Sequence, residues 1–223
     1  MTLIPPDHRY PLGVHSVVFG RVHTRACFEQ AAALGFDHVD IGEAALRELE
    51  ADGGPPAPLP AGDILSMRGF APGRTALAPV LRPNQSYDEI VTLLRAHPGA
   101  RLEVGPDSVA GSVEAIRQLA VDVPGLRFTI DTGHITAWGE DPLDLLDLAD
   151  HVQLRQAAPG RPQLWPDEGV IDFAALIARL RQVDYRGLLT VEYFDLPEYG
   201  WPVDDPLGHA VALAHVVRPL LQG

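Results

Sequence analysis

RFTIDTGHI, residues 127–135, is a short apolar run that ends in the carboxylate of Asp131 and passes at once into Thr132-Gly133-His134. The same arrangement recurs on both sides of it. Upstream, RLEV (101–104) carries Glu103; downstream, HVQL (151–154) carries Gln153 and LLTVE (188–192) ends in Glu192. These four polar residues are 28, 22 and 39 positions apart, the spacing of successive strand-helix units whose strand tips face one another. Oxygen donors converging at strand tips are an arrangement that binds a divalent cation.

Around these tips the chain alternates. Helix periodicity at 87–97, 109–120, 142–149, 172–183 and within 206–221 separates strands at 101–104, 127–130, 151–154 and 188–192. Alternation of this kind needs crossover connections and hence a parallel sheet, and eight such units close most readily into a barrel. The expected fold is α/β, a (β/α)8 TIM barrel forming a single domain over residues 1–223. Its N-terminal half reads as shortened or irregular. Strands are expected at 14–19, 38–41 and 63–68, and helices at 23–34 and 43–50, with Gly35 as a stop signal. The next segment, GFAPGRTALAPVLRPNQ (69–85), is too rich in proline and glycine for a helix and leaves only a weak fourth strand within 76–81. GGPPAPLPAG (53–62) is a breaker-rich loop, but too few residues precede it to form an independent α/β domain.

Composition removes several classes of chemistry. Seventeen basic against thirty acidic residues give a formal charge of −13, and the acidic residues are scattered, so nucleic acid is not an expected partner. All 17 basic residues are arginine, which leaves no lysine for a Schiff base or a general base. Cys27 is the only cysteine, so an intramolecular disulfide, a thiolate cluster and a Cys-x-x-Cys redox motif are all excluded. With no signal-peptide core at the N-terminus and no apolar run of membrane-spanning length, a soluble cytoplasmic protein is expected.

Glu103, Asp131, Gln153 and Glu192 offer only oxygen ligands, which suit Mg²⁺ or Mn²⁺ better than Zn²⁺. Each also has a plainer reading. Glu103 and Glu192 are compatible with polar strand ends bonded to loop amides, Asp131 with an Asx turn before Gly133, and His134 with a packed or surface histidine. As a set at matching positions, the plain reading of all four is harder to sustain.

The segments LEVG, FTIDTGHI, HVQLRQAAPGR and GVIDFAALIARLRQVDYRGLLTVEY, together spanning roughly residues 87–195, resemble the xylose isomerase-like TIM-barrel superfamily, also described as the sugar phosphate isomerase/epimerase family. The last segment is the most specific, with Gly-x-Ile-Asp-Phe, a helix, then Tyr-x-Gly-x-Leu-x-Val-Glu. The resemblance implies that Glu103, Asp131, Gln153 and Glu192 ligate the metal, and that His134 contacts the substrate or supports the ligands. Many relatives carry histidine where Gln153 stands; the hydroxypyruvate isomerase branch resembles this chain in its His-Val-Gln and Pro-Gly-Arg. That pattern points to Arg161 as a fork for a substrate carboxylate or phosphate, with Arg155 of the same segment as a further substrate-binding candidate. His15, Glu43 and Arg68 fall near the expected ends of the first three strands and are candidates to line the pocket. Trp138, Trp165 and Trp201 lie in loops beyond strand ends, where rings can stack on a sugar face or fill an interface.

The implied reaction is isomerisation or epimerisation of a sugar, sugar phosphate or small hydroxy-carbonyl compound through a metal-stabilised enediolate, with Glu103 and Glu192 moving the proton. A dehydratase of a cyclic polyol or keto acid is the alternative within the family, and a non-catalytic barrel acting as a binding module is the alternative outside enzymology. The superfamily also includes endonuclease IV, but the extra histidines of a trinuclear zinc site are not evident and the charge is wrong for DNA. A carbohydrate-like small molecule is the expected partner, with no membrane, and a homodimer is compatible with a chain of this size.

Overall fold

Eight parallel strands form one ring. They are β1 (Leu12–His15), β2 (Val39–Gly42), β3 (Ala61–Ser66), β4 (Thr75–Ala76), β5 (Arg101–Glu103), β6 (Arg127–Asp131), β7 (Ala149–Leu154) and, after an antiparallel hairpin of β8 (Gln156–Ala158) with β9 (Arg161–Leu164), β10 (Leu188–Val191). The ring runs β1-β10-β7-β6-β5-β4-β3-β2 and closes through parallel pairing of β1 with β2. The computed structural model describes residues 10–56, 59–66, 74–76, 86–99, 101–106, 108–197 and 200–222. Among the described residues seven α-helices punctuate the strands: α1 (Thr24–Ala33), α2 (Glu43–Ala51), α3 (Tyr87–Arg95), α4 (Val113–Asp122), α5 (Thr132–Ala137), α6 (Phe173–Gln182) and α7 (Pro206–Leu220). The (β/α)8 TIM barrel expected from the alternation is the architecture found.

Local chemistry explains most boundaries. Ser86 and Glu89 form a capping box at the start of α3, and Ser112 and Asp172 cap α4 and α6 through their side chains. The expected helix at 109–120 begins only at Val113, where Ser112 supplies the cap. Of the expected strand at 14–19, only the part up to His15 is extended; Ser16–Phe19 turn into a single 3-10 turn, with the His15 ring accepting the Val17 amide. The expected helix at 142–149 is likewise one 3-10 turn, Pro142–Leu145, because β7 must already be extended at Ala149 to pair with β6 and β10. The fourth strand is two residues, Thr75–Ala76, at the edge of the expected span; residues 77–85 lie outside the described residues.

Period-two alternation sorts each strand's side chains into two environments. Leu12, Val14, Val39, Ile41, Leu102, Val104, Phe128, Ile130, Val152, Leu154, Leu189 and Val191 belong to the main apolar core with residues of the surrounding helices, each such side chain contributing about 1.5–3 kcal/mol by leaving water. The intervening residues face the lumen and are polar. Their contacts join strands that are not neighbours in the ring: His38 to Thr190 at 2.9 Å, Thr75 to Thr129 at 2.8 Å, Arg101 to Asp63, and His151 to Asp40 at 2.7 Å. Only the barrel interior connects such pairs. Gly13 is part of this arrangement, since a Cβ there would fall 2.1 Å from the His38 ring. Barrel lumens are more commonly filled by branched aliphatic side chains, so this one is set apart by its buried charges.

Candidate functional site

The C-terminal ends of the strands place the polar series together. Glu103 closes β5, Asp131 closes β6, Gln153 sits one residue before the end of β7, and Glu192 follows β10 directly. Parallel register sets Gln153 beside Asp131 on one side and Thr190 on the other. Asp131 and Gln153 are fully buried and Glu192 is nearly so. Ligand atoms of Glu103, Asp131 and His134 all lie within 4.8 Å of one another.

Each member has a distinct electrostatic state. Burial, with Glu192 and Asp131 close by, raises the Glu103 carboxyl well above its ordinary range. Burial likewise pushes Glu192 up to about 8, against the pull of Arg155. Asp131 moves the other way: burial opposes its charge, but Arg155 and His134 beside it hold it below the usual range. Its Oδ1 accepts the amides of Gly133 (2.8 Å) and His134 (3.1 Å), so the Asx-type turn is real, and it also accepts Arg155 Nε at 3.2 Å. Arg155 Nη2 donates to Asp131 Oδ2.

Neutral donors complete the cluster. Burial lowers His134 to about 4, so its ring is uncharged near neutrality. Nδ1 and the Val104 carbonyl are 2.9 Å apart, which fixes the proton on Nδ1 and leaves a lone pair on Nε2; that atom is buried without a hydrogen-bond partner among the described residues, 3.6 Å from Asp131 Oδ2. A histidine oriented through its other nitrogen in this way is poised as a ligand. Both amide atoms of Gln153 are also buried without a hydrogen-bond partner among the described residues, a situation that costs about 1–3 kcal/mol per group unless something occupies the site. His134 Nε2 grouped with Glu103 and Asp131, and the Gln153 amide beside Asp131, fit a divalent cation.

His15, at the end of β1, is neutral, lowered to about 4 by burial, and its Nδ1 lies 3.7 Å from Glu192 Oε1. Arg155 is fully buried and bound to Asp131, with Nη2 also 3.9 Å from Glu192. Arg161 is instead exposed on the β8–β9 hairpin, 3.9 Å from Glu168, outside the buried cluster. Glu43 accepts Ser66 Oγ and Arg74 at the ends of β2 and β3. Arg68 lies outside the described residues. Of the tryptophans, Trp165 stacks on His209 at 3.8 Å, while Trp201 meets the His134 ring edge-on at 4.7 Å.

Phe194 and Trp201, stacked on each other at 5.3 Å, also cover the Arg155 guanidinium. Phe194 was invisible to strand-end reading because it lies beyond the last strand. The His151-x-Gln153-x-Arg155 alternation does put all three on one face and was readable from period two alone. Gly133 is required where Asp131 and Arg155 meet: a Cβ would sit 2.6 Å from the Pro162 carbonyl and 2.9 Å from Arg155 Nε. Gly133→Ala should therefore lower unfolding free energy by about 1–3 kcal/mol, measurable by urea denaturation; an unchanged midpoint would show that the contact yields freely.

The family model for the xylose isomerase-like TIM barrel matches residues 21–214. No curated protein sequence matches this chain. Among solved structures, an L-ribulose 3-epimerase superposes with a TM-score of 0.68 at 15% identity, covering 95% of this chain and 94% of that one. A xylose isomerase-like TIM barrel protein from Mycobacterium smegmatis in complex with magnesium gives 0.67 at 13% identity, covering 98% and 99%. The probable 3-DHS dehydratase AsbF from Bacillus anthracis gives 0.63 at 15% identity, covering 91% and 98%. At these identities the likeness is one of fold.

Proposed function

The chain belongs to the xylose isomerase-like TIM barrel family, and on that premise we propose that it is a divalent-metal-dependent isomerase or epimerase of a sugar or small hydroxy-carbonyl compound. The observation that carries the reading is a pair of buried donors without hydrogen-bond partners among the described residues: His134 Nε2, grouped with Glu103 and Asp131, and the Gln153 amide on the strand position beside Asp131. Glu103, Asp131, Gln153 and Glu192 would hold Mg²⁺ or Mn²⁺, with His134 Nε2 available to the ion or to a substrate hydroxyl. A bound ion would supply Lewis-acid stabilisation of negative charge developing on substrate oxygen. Glu192 is the proton acceptor: burial raises its basicity, which brings a carboxylate toward neutral-pH work. Glu103, on the strand three places round the ring from β10, returns the proton. Phe194 and Trp201 line the side held by Arg155 and His134.

Stripped of metal and then given Mg²⁺ or Mn²⁺ at about 100 times its Kd, the protein should gain about 2.7 kcal/mol, a rise in Tm of roughly 5–10 °C. No shift with either ion overturns the metal-dependent reading and favours a binding module. Incubation with a panel of ketoses and aldoses in D₂O, followed by NMR, tests the reaction itself: deuterium at the carbon next to the carbonyl without loss of water is the expected result. Loss of water would instead assign the dehydratase chemistry that the structural likeness to the 3-DHS enzyme keeps in view. Proton abstraction is common to both, so the two outcomes differ only in what leaves.

A further inference from the structure

We propose that Arg155 is a built-in counter-cation of this site, competing with the divalent ion for Asp131, so that loading the metal requires the guanidinium to release that carboxylate. The inference rests on the metal-dependent reading above and concerns what this chain adds to it. Position 155 follows Gln153 by two and so shares its lumen face. Both carboxylate oxygens of Asp131 are taken by the guanidinium, Oδ1 by Nε at 3.2 Å and Oδ2 by Nη2. Oδ1 also accepts the Gly133 and His134 amides, so the guanidinium occupies much of the acceptor capacity that remains on this carboxylate, and two cations on one carboxylate repel.

The guanidinium is also seated in a place made for it. The Arg155 backbone is pinned at both ends by Thr132 Oγ1, which accepts its amide and donates to its carbonyl, each at 2.9 Å. Its head lies 4.5 Å from the Phe194 ring and 5.2 Å from the Trp201 ring, with Nη1 3.5 Å from Gln163 Oε1. The missing side chain of Gly133 leaves room for Nε. Nη2 also stands 3.9 Å from Glu192, so this fixed positive charge spans two of the carboxylates expected to share the ion. A residue that served only to orient Asp131 would strengthen metal binding; a competitor weakens it.

Mn²⁺ binding to the metal-stripped protein, followed by the EPR signal of free Mn²⁺, separates the two. Arg155→Met, which keeps an unbranched apolar stem but removes the charge, should bind Mn²⁺ at least about tenfold more tightly than the unaltered chain. Equal or weaker binding overturns the competition while leaving the metal reading intact; absence of binding in both proteins overturns both. Should the Met variant fail to fold, the unaltered protein supplies the second measurement. Its Arg155 Nε–Hε resonance, from an N–H bonded to Asp131, should shift and lose exchange protection as Mg²⁺ saturates the site. A resonance unchanged at saturation overturns the proposal.

Discussion

Glu192→Gln should lower kcat by roughly 10²–10⁴-fold, the range lost with a general base, while the barrel stays folded. The amide keeps the shape of the side chain and cannot accept the proton. The same change should leave the metal-free protein at least as stable. Glu192 is buried near Asp131 and Asp40, and burial is the main reason its pKa stands at about 8, with Arg155 only partly offsetting it. Because the folded value lies above the ordinary 4.5, the carboxyl contributes stability fully below pH about 4.5 and loses it as pH rises through 8. The metal-free parent should accordingly lose Tm between pH 5 and 9, and the Gln variant should show a flatter profile in that window. Full activity in the variant would remove Glu192 from proton transfer; an identical pH profile would remove it from the stability argument. A site that destabilises the chain holding it is the expected signature of function.

His151→Gln should have the largest effect on stability, a loss of about 3–5 kcal/mol, the usual consequence of leaving a buried charge without its partner. Asp40 and His151 are both fully buried and pair across the lumen at 2.7 Å. Burial works against the charged imidazole, yet Asp40 holds His151 above its ordinary 6.5; burial also works against Asp40, yet His151 holds it below 3.8. The histidine's contribution is complete below pH 6.5 and fades as pH rises through its raised value; the aspartate's is complete above 3.8 and fades toward acid. The pair therefore confers most stability in the weakly acidic to neutral range. Calorimetry should find a Tm drop of roughly 6–20 °C for the single variant, with much of it recovered by adding Asp40→Asn. A drop of the same size in both would trace the loss to packing instead of charge.

The positions of the strand ends were readable in advance because the lumen is entered by period two. A short apolar run fixes which face meets the helices, and the next residue must then face inward. That logic reached Glu103, Asp131, Gln153, Glu192 and His15. It reached Arg161 only by the likeness of a segment, and the hairpin that carries Arg161 turns it out to solvent beside Glu168. Helix boundaries at 109–120 and 142–149 shifted for a different reason. Apolar periodicity records which residues are buried, whereas the start of α4 is set by the Ser112 cap and the length of the 142 turn by the pairing of β7.

The residue pattern by itself determined the parallel barrel, the sequence of strand tips and the oxygen-rich chemistry gathered there, because burial on one face of each strand is a local constraint repeated along the chain. Only the tertiary structure decided which charges meet. The closure of the ring brings Asp40 to His151 and Arg155 to Asp131 across 111 and 24 positions of sequence, leaving the Gln153 amide and His134 Nε2 without hydrogen-bond partners among the described residues. Electrostatic pairing depends on distance through the lumen, and no period along a strand encodes that distance.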